Sequence, residues 1–174
     1  MSKSKPTKSA TSPATPKAGK KSTIEAKPKR RRSFSSLAQA ERWLDDRVNV
    51  ERVRPHRVDK DAFRLDRMRA LMSALDNPQD SMPLVHVAGS KGKGSVCEML
   101  SGCLGANGYT VGVYCSPHLV TIRERIRVGT QMIGEAAFAR LLTRVREAAE
   151  SIENSQGLVT YFECVTACAF LYFA

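Results

Sequence analysis

One segment restricts this chain more than any other. Val87-Ala88-Gly89-Ser90-Lys91-Gly92-Lys93-Gly94-Ser95 gathers three glycines and two lysines into seven residues. The apolar run 84–88 precedes it. Val96, Met99, Leu100, Cys103 and Leu104 follow at i, i+3, i+4, i+7 and i+8, the spacing of one helix face. The pattern predicts a strand buried on both faces, a glycine turn, and a helix that ends near Asn107-Gly108. Residues 109–115 read as a second buried strand. These pieces predict a right-handed βαβ unit with a parallel strand pair, so the expected class is α/β, a P-loop-type parallel sheet with flanking helices.

A turn of this kind has a definite chemistry. It aims several backbone N–H groups at one point, and the positive end of the following helix adds to them, so phosphate is favoured there. Lys93 can reach terminal phosphates, and the Ser95 hydroxyl can ligate Mg²⁺ or a phosphate oxygen. The spacing departs from G-x-x-x-x-G-K-[ST], because Gly94 separates Lys93 from Ser95.

The net charge of +11 suggests nucleic acid until it is located. Of 28 basic and 17 acidic side chains, eleven and one fall in residues 1–33, which leaves 17 and 16 for the rest. The basicity therefore belongs to a Lys-, Ser- and Pro-rich tail with too few apolar residues to offset the entropy of ordering. The expected division is a disordered tail over 1–34 and a folded part over 35–174. The run Lys27-Pro28-Lys29-Arg30-Arg31-Arg32 reads as solvated charge, with nothing beyond non-specific contacts to polyanions.

No apolar stretch approaches the roughly 18 residues of a membrane span, and the N-terminus lacks the apolar region of a secretory signal. Cys97, Cys103, Cys115, Cys164 and Cys168 lie in apolar segments and read as reduced core thiols of a cytosolic protein. Cys164 and Cys168 are four apart, but no second ligand pair has metal spacing. His86, ahead of the glycine loop, reads as a core histidine. Helices are predicted from Ser35 onward, over 64–74 (stopped by Asn77-Pro78), over 135–152 and over 160–174, with a short strand over 124–128.

The loop spacing also resembles the ATP loop of the Mur ligase superfamily, usually G-T-[NK]-G-K-x-[ST], with Ser90 in place of the threonine. Ser116-Pro117-His118-Leu119, Glu124-Arg125-Ile126, Asn77-Pro78-Gln79 and Thr160-Tyr161-Phe162-Glu163 then resemble, in order, motifs of the folylpolyglutamate synthase/dihydrofolate synthase branch. The resemblance covers about residues 36–174. It implies that Gly89, Ser90, Lys91, Gly92, Lys93, Gly94 and Ser95 hold ATP, with Lys93 catalytic. It implies that Ser95 and Ser116 ligate Mg²⁺, and that His118, Thr160, Tyr161, Phe162 and Glu163 line the substrate site. Glu163 also stands where a capping box would place it after Thr160.

The implied reaction is ATP-dependent addition of L-glutamate to a folate or to dihydropteroate, through an acyl phosphate, by a cytoplasmic monomer. The resemblance further implies that later strands, a glutamate ligand for Mg²⁺ and a second domain belong to sequence beyond residue 174. Two other readings remain: a Mur-type ligase on another carboxylate, and a nucleotide- or anion-binding module without ligase activity.

Overall fold

The computed structural model describes residues 32–49, 51 and 65–174. The tail expected over 1–34 falls, up to residue 31, outside the described residues, as does the Arg54-Pro55-His56 connection.

Four helices build the core. Helix α1 (Leu37–Asp45) opens at Ser36, whose backbone is extended and whose Oγ accepts from Gln39 N at 3.3 Å. It buries Ala40 and Leu44. Helix α2 (Leu65–Ala74) buries Leu71 and Met72 and ends where Asp76 and Asn77 adopt φ of 65° and 51°, just ahead of Pro78.

After the loop and sheet described below come α4 (Glu135–Gln156) and α5 (Tyr161–Phe173). Phe138, Leu142 and Val145 of α4 meet Cys164, Val165 and Cys168 of α5 in a core where all six are fully buried. Each large side chain of this kind contributes about 1.5–3 kcal/mol of transfer free energy. Packing also reaches back along the chain. Phe34 is buried, its N–H donates to Thr143 Oγ1 at 3.0 Å, and the Arg146 guanidinium lies 4.3 Å from its ring centre. The folded part thus includes Phe34, one residue before the expected boundary at Ser35.

The glycine loop leads into α3 (Lys93–Ala106). The sheet is small: β1 (Gly112–Tyr114), β2 (Ile126–Val128) and β3 (Gln131–Met132), in that order and antiparallel throughout. A 3₁₀ turn, Ile122–Arg125, occupies the first half of the strand expected over 124–128. The chain is therefore α/β, but several details of the sequence reading are corrected.

Residues 84–88 form no strand, and no parallel pair occurs among the described residues. Leu84 and Val85 are 54% and 70% exposed. A strand needs a neighbour to take up its backbone groups, and β1 instead pairs with β2 through the hairpin-like return of the chain. Likewise α3 forms but buries none of its residues, so its apolar face meets no core. His86 is exposed rather than internal. Of the five cysteines only Cys164 and Cys168 are buried; Cys97 and Cys115 are half-buried and Cys103 is exposed.

The sheet is held to the helices at Gly112. A Cβ there would stand 2.5 Å from Phe173 Cδ1 of α5, inside any tolerable contact. Gly112→Ala is expected to cost about 1–3 kcal/mol by forcing β1 away from α5. Urea unfolding of the variant, and its recovery in Gly112→Ala/Phe173→Ala, measures this; an unchanged midpoint contradicts the close approach.

Candidate functional site

The loop 89–92 is exposed and turns on glycine backbone: Gly92, at φ 76°, is left-handed and serves as the N-cap of α3. It has no side chain with which to cap, so the first-turn N–H groups point outward without a side-chain acceptor. Lys93 Nζ folds across the loop and donates to the Gly89 carbonyl oxygen at 2.6 Å. One uncapped helix start, two lysines and a hydroxyl at Ser95 thus occupy a single exposed turn, an arrangement suited to a phosphate group. All seven residues expected to hold ATP are contiguous there.

Helix α3 lies beside β1, and this brings the glycine loop's helix next to the segment 115–121 that leaves β1. The α3 residue Glu98 pairs with Arg127 of β2 and fastens the helix to the sheet. Cys97, one residue earlier, meets Cys115 just after β1. Burial pushes the Cys115 thiol up, and the charge of neighbouring Cys97 and a hydrogen bond with it push it further.

The segment 116–121 is held by the next residues in sequence. The Ser116–Pro117 peptide is cis. Glu124 accepts three backbone N–H donors: Leu119 at 2.8 Å, Val120 at 2.9 Å and Thr121 at 2.7 Å. Those three bonds hold its carboxyl below the ordinary glutamate value. Because the folded value lies below the unfolded one, this contribution is present at pH above the ordinary glutamate range and is lost as pH falls through the lowered value. The amide NMR shifts of Leu119, Val120 and Thr121 are expected to titrate together, with a midpoint below that of an ordinary glutamate. A midpoint at or above it, or loss of the joint titration only in some other variant than Glu124→Gln, contradicts the clamp.

Arg125 is 3% exposed and reaches back as well. Its Nε donates to His118 Nδ1 at 2.8 Å, and its Nη2 donates to Glu51 Oε2 at 2.7 Å. Its Nη1 is buried with no hydrogen-bond partner. The guanidinium lies 5.6 Å from the centre of the Tyr161 ring. Since Nδ1 of His118 accepts a hydrogen bond, the neutral ring carries its proton on Nε2. In Glu124-Arg125-Ile126 each residue therefore has a physical duty, the third being fully buried in the core. Sequence reasoning quoted this motif without giving it one.

His118 and Tyr161 share a cavity of about 90 Å³ with Glu41, Leu44, Asp45 and Ile122. Two expected substrate residues are thus brought together, and α1 adds two carboxylates that the sequence reading missed. The other residues of Thr160–Glu163 divide their roles. Phe162 is 40% exposed. Thr160 and Glu163 are buried and form the capping box of α5: Thr160 N donates to Glu163 Oε2 at 2.8 Å, and Glu163 N donates to Thr160 Oγ1 at 3.3 Å. Arg67 of α2 adds Nε at 3.1 and 2.9 Å from the two carboxylate oxygens. Tyr114 hydrogen-bonds Thr166 at 3.1 Å, and its hydroxyl is pushed up to about 12 by burial. Among the described residues no group of three His, Cys, Asp or Glu side chains is placed to hold a metal ion.

This fold and loop define an α/β protein with an exposed glycine loop at a helix start, an arrangement suited to a phosphate group. No family model matches the chain. It is 35% identical, over 81% of its own length and 31% of the relative's, to the dihydrofolate synthase/folylpolyglutamate synthase of Bacillus subtilis. The folylpolyglutamate synthase structure from Thermotoga maritima superposes with a TM-score of 0.67 at 34% identity, covering 79% of this chain and 30% of that one. A folylpolyglutamate synthase complex with AMPPCP and folate gives 0.65 at 32% identity, covering 79% and 32%. Over the matched residues the chain is similar to folylpolyglutamate synthases and dihydrofolate synthases, and it spans about a third of the length of these relatives. No described helix is long and apolar enough to cross a membrane.

Proposed function

We propose that this chain supplies the ATP-phosphate site, and part of the folate-facing wall, of a cytoplasmic ligase that adds L-glutamate to a folate or to dihydropteroate. The uncapped N-terminus of α3, with Lys93 folded over its loop, carries the reading. A solved relative holds AMPPCP, an ATP analogue, together with folate.

In this reaction a substrate carboxylate attacks the γ-phosphate, and the amine of glutamate then displaces phosphate from the acyl phosphate. Two anions must approach each other, so the protein's share is neutralisation and positioning. Gly89 to Ser95 offer backbone N–H donors to the phosphates, and Lys93 exchanges the Gly89 carbonyl for a phosphate oxygen. Ser95 and Ser116 would supply hydroxyls to Mg²⁺. A pair of neutral hydroxyls fits an ion that takes its remaining oxygens from nucleotide and water. When bound, that ion lowers the repulsion between carboxylate and triphosphate. Glu124 and Arg125 fix the segment bearing Ser116 and His118, while His118, Tyr161, Asp45 and Glu41 line the cavity assigned to the acceptor.

Charge supports a separate role for the N-terminal segment: deleting residues 1–31 is expected to remove most heparin binding without lowering the melting temperature, because nine of the eleven net charges lie within residues 1–31. Unchanged salt-sensitive heparin binding contradicts this assignment.

The function is tested by titrating the chain with ATP and Mg²⁺ while following backbone amide signals. Shifts concentrated at 89–95 and around Ser116, displaced by ADP, support the reading. Absence of any shift at 89–95 sinks it, and equal shifts with inorganic phosphate alone favour a plain anion site over a nucleotide site.

A further inference from the structure

We propose that Ser33 is a phosphoacceptor for a basophilic protein serine/threonine kinase, a modification site at the joint between the basic N-terminal segment and the helical core. The sequence supplies the recognition. Arg30, Arg31 and Arg32 stand immediately before Ser33. An acidic substrate groove takes such a run through paired N–H···O bonds from each planar guanidinium to a carboxylate. Of the serines and threonines in residues 1–36, only Ser33 and Thr23 have basic residues both two and three positions ahead. Thr23 has Lys20 and Lys21 there, compact ammonium groups without the fork, and Glu25 follows it, an anion that an acidic groove repels.

The fold then sets Ser33 apart from its neighbours. Ser33 is exposed, and no hydrogen bond ties its side chain to another of the described residues. Ser35 and Ser36 instead have their hydroxyls engaged at the start of α1. Ser35 Oγ donates to Gln39 Oε1 at 3.1 Å, and Ser36 Oγ accepts from Gln39 N at 3.3 Å. The backbone on both sides of Ser33 is docked on α4. Arg146 Nη2 donates to the Arg32 carbonyl oxygen at 2.8 Å, and the same guanidinium covers the ring of Phe34, which is buried against Trp43. A kinase groove takes its substrate as an extended strand that includes the residue after the acceptor, so Phe34 has to leave the core before transfer. Arg146 therefore gates the site.

The step is a phosphoryl transfer with ATP as donor. Ser33 Oγ attacks the γ-phosphorus, the new O–P bond forms, and the bond from that phosphorus to the bridging oxygen breaks. ADP leaves with the electron pair, and the hydroxyl proton passes to the base of the kinase. Residues 1–33 hold eleven basic side chains against one acidic, and phosphate at Ser33 adds about 1.5–2 negative charges directly beside three of the arginines. Weaker binding of polyanions is the expected consequence, and it rests on the assignment of polyanion binding to the N-terminal segment.

The test incubates the full chain with the catalytic subunit of cyclic-AMP-dependent protein kinase and Mg²⁺-ATP, and reads intact mass and fragment spectra. A gain of one HPO₃ unit located at Ser33 is expected. It should vanish in Ser33→Ala and be slowed by about tenfold or more in Arg30→Ala/Arg31→Ala, two changes outside the core. No incorporation, incorporation at Thr23, Ser35 or Ser36 in place of Ser33, or an unslowed double-arginine variant overturns the proposal. Arg146→Met, its fold checked by melting temperature, should raise the initial rate; an equal rate overturns the gate. The phosphorylated chain should leave a heparin column at lower salt than the unmodified one. Equal elution overturns the electrostatic consequence. If the unmodified chain is not retained at all, the assignment of the N-terminal segment fails while the phosphoacceptor stands.

Discussion

Glu163→Ala is expected to be the most destabilising single substitution in the chain, at about 3–5 kcal/mol, the range for removing one partner of a buried ion pair. Against a typical domain stability of about 5–15 kcal/mol, that is about a fifth or more of the whole. The side chains of Arg67 and Glu163 are 7% and 11% exposed. Loss of the carboxylate takes both Glu163 oxygens away from the Arg67 Nε, and it also removes the acceptor of Thr160 N and Thr160 Oγ1. Glu163→Gln keeps one oxygen for the cap and loses the charge, so an intermediate loss is expected. Removing Arg67 as well, in Arg67→Met/Glu163→Ala, should restore part of the stability by taking away a buried charge whose opposing carboxylate is gone. Urea unfolding measures all three; a loss below about 1 kcal/mol for Glu163→Ala, the worth of an ordinary hydrogen bond, contradicts the assignment.

That pair also marks where the sequence stops being legible. The capping half of Glu163 could be read locally, because Thr160 stands three residues before it. The Arg67 half could not, since 96 residues separate the partners and no local pattern announces them. Helices α1, α2, α4 and α5 were readable for the opposite reason: each carries its own apolar period and its own start or stop, such as Ser36 or Asn77-Pro78. Residues 84–88 misled because apolar character records only that a segment seeks burial. Whether it becomes a strand depends on a neighbour, and β1 is already taken by β2. The same holds for α3, whose periodic face forms as a helix yet meets no core. In the site, spacing alone exposed the glycine loop. The Glu124 clamp and the Arg125 contacts to His118 and Glu51 depend on how the chain returns after Ser116. Asp45 and Glu41 could be found only once α1 lay beside Tyr161.

Lys93→Ala is expected to weaken binding of ATP with Mg²⁺ by about 10–150-fold, the equivalent of a charge-assisted hydrogen bond worth about 1.5–3 kcal/mol. Lys93 is the first residue of α3, and its Nζ already sits on the Gly89 carbonyl, one short movement from any phosphate held at the helix start. The side chain is exposed, so the substitution should leave the melting temperature unchanged, and weaker binding then reports on the site rather than on folding. Lys93→Arg separates charge from shape. It keeps the positive charge but replaces a compact ammonium with a planar fork, so partial binding is expected and full binding is not. The loss in Lys93→Ala should also shrink as ionic strength rises, because the exposed contact is screened by salt. Calorimetric titration of the three proteins at low and moderate salt decides the matter. Equal affinity in wild type and Lys93→Ala would mean that the amides of the helix start hold the nucleotide without this lysine, and the phosphate-loop reading would lose its charged member.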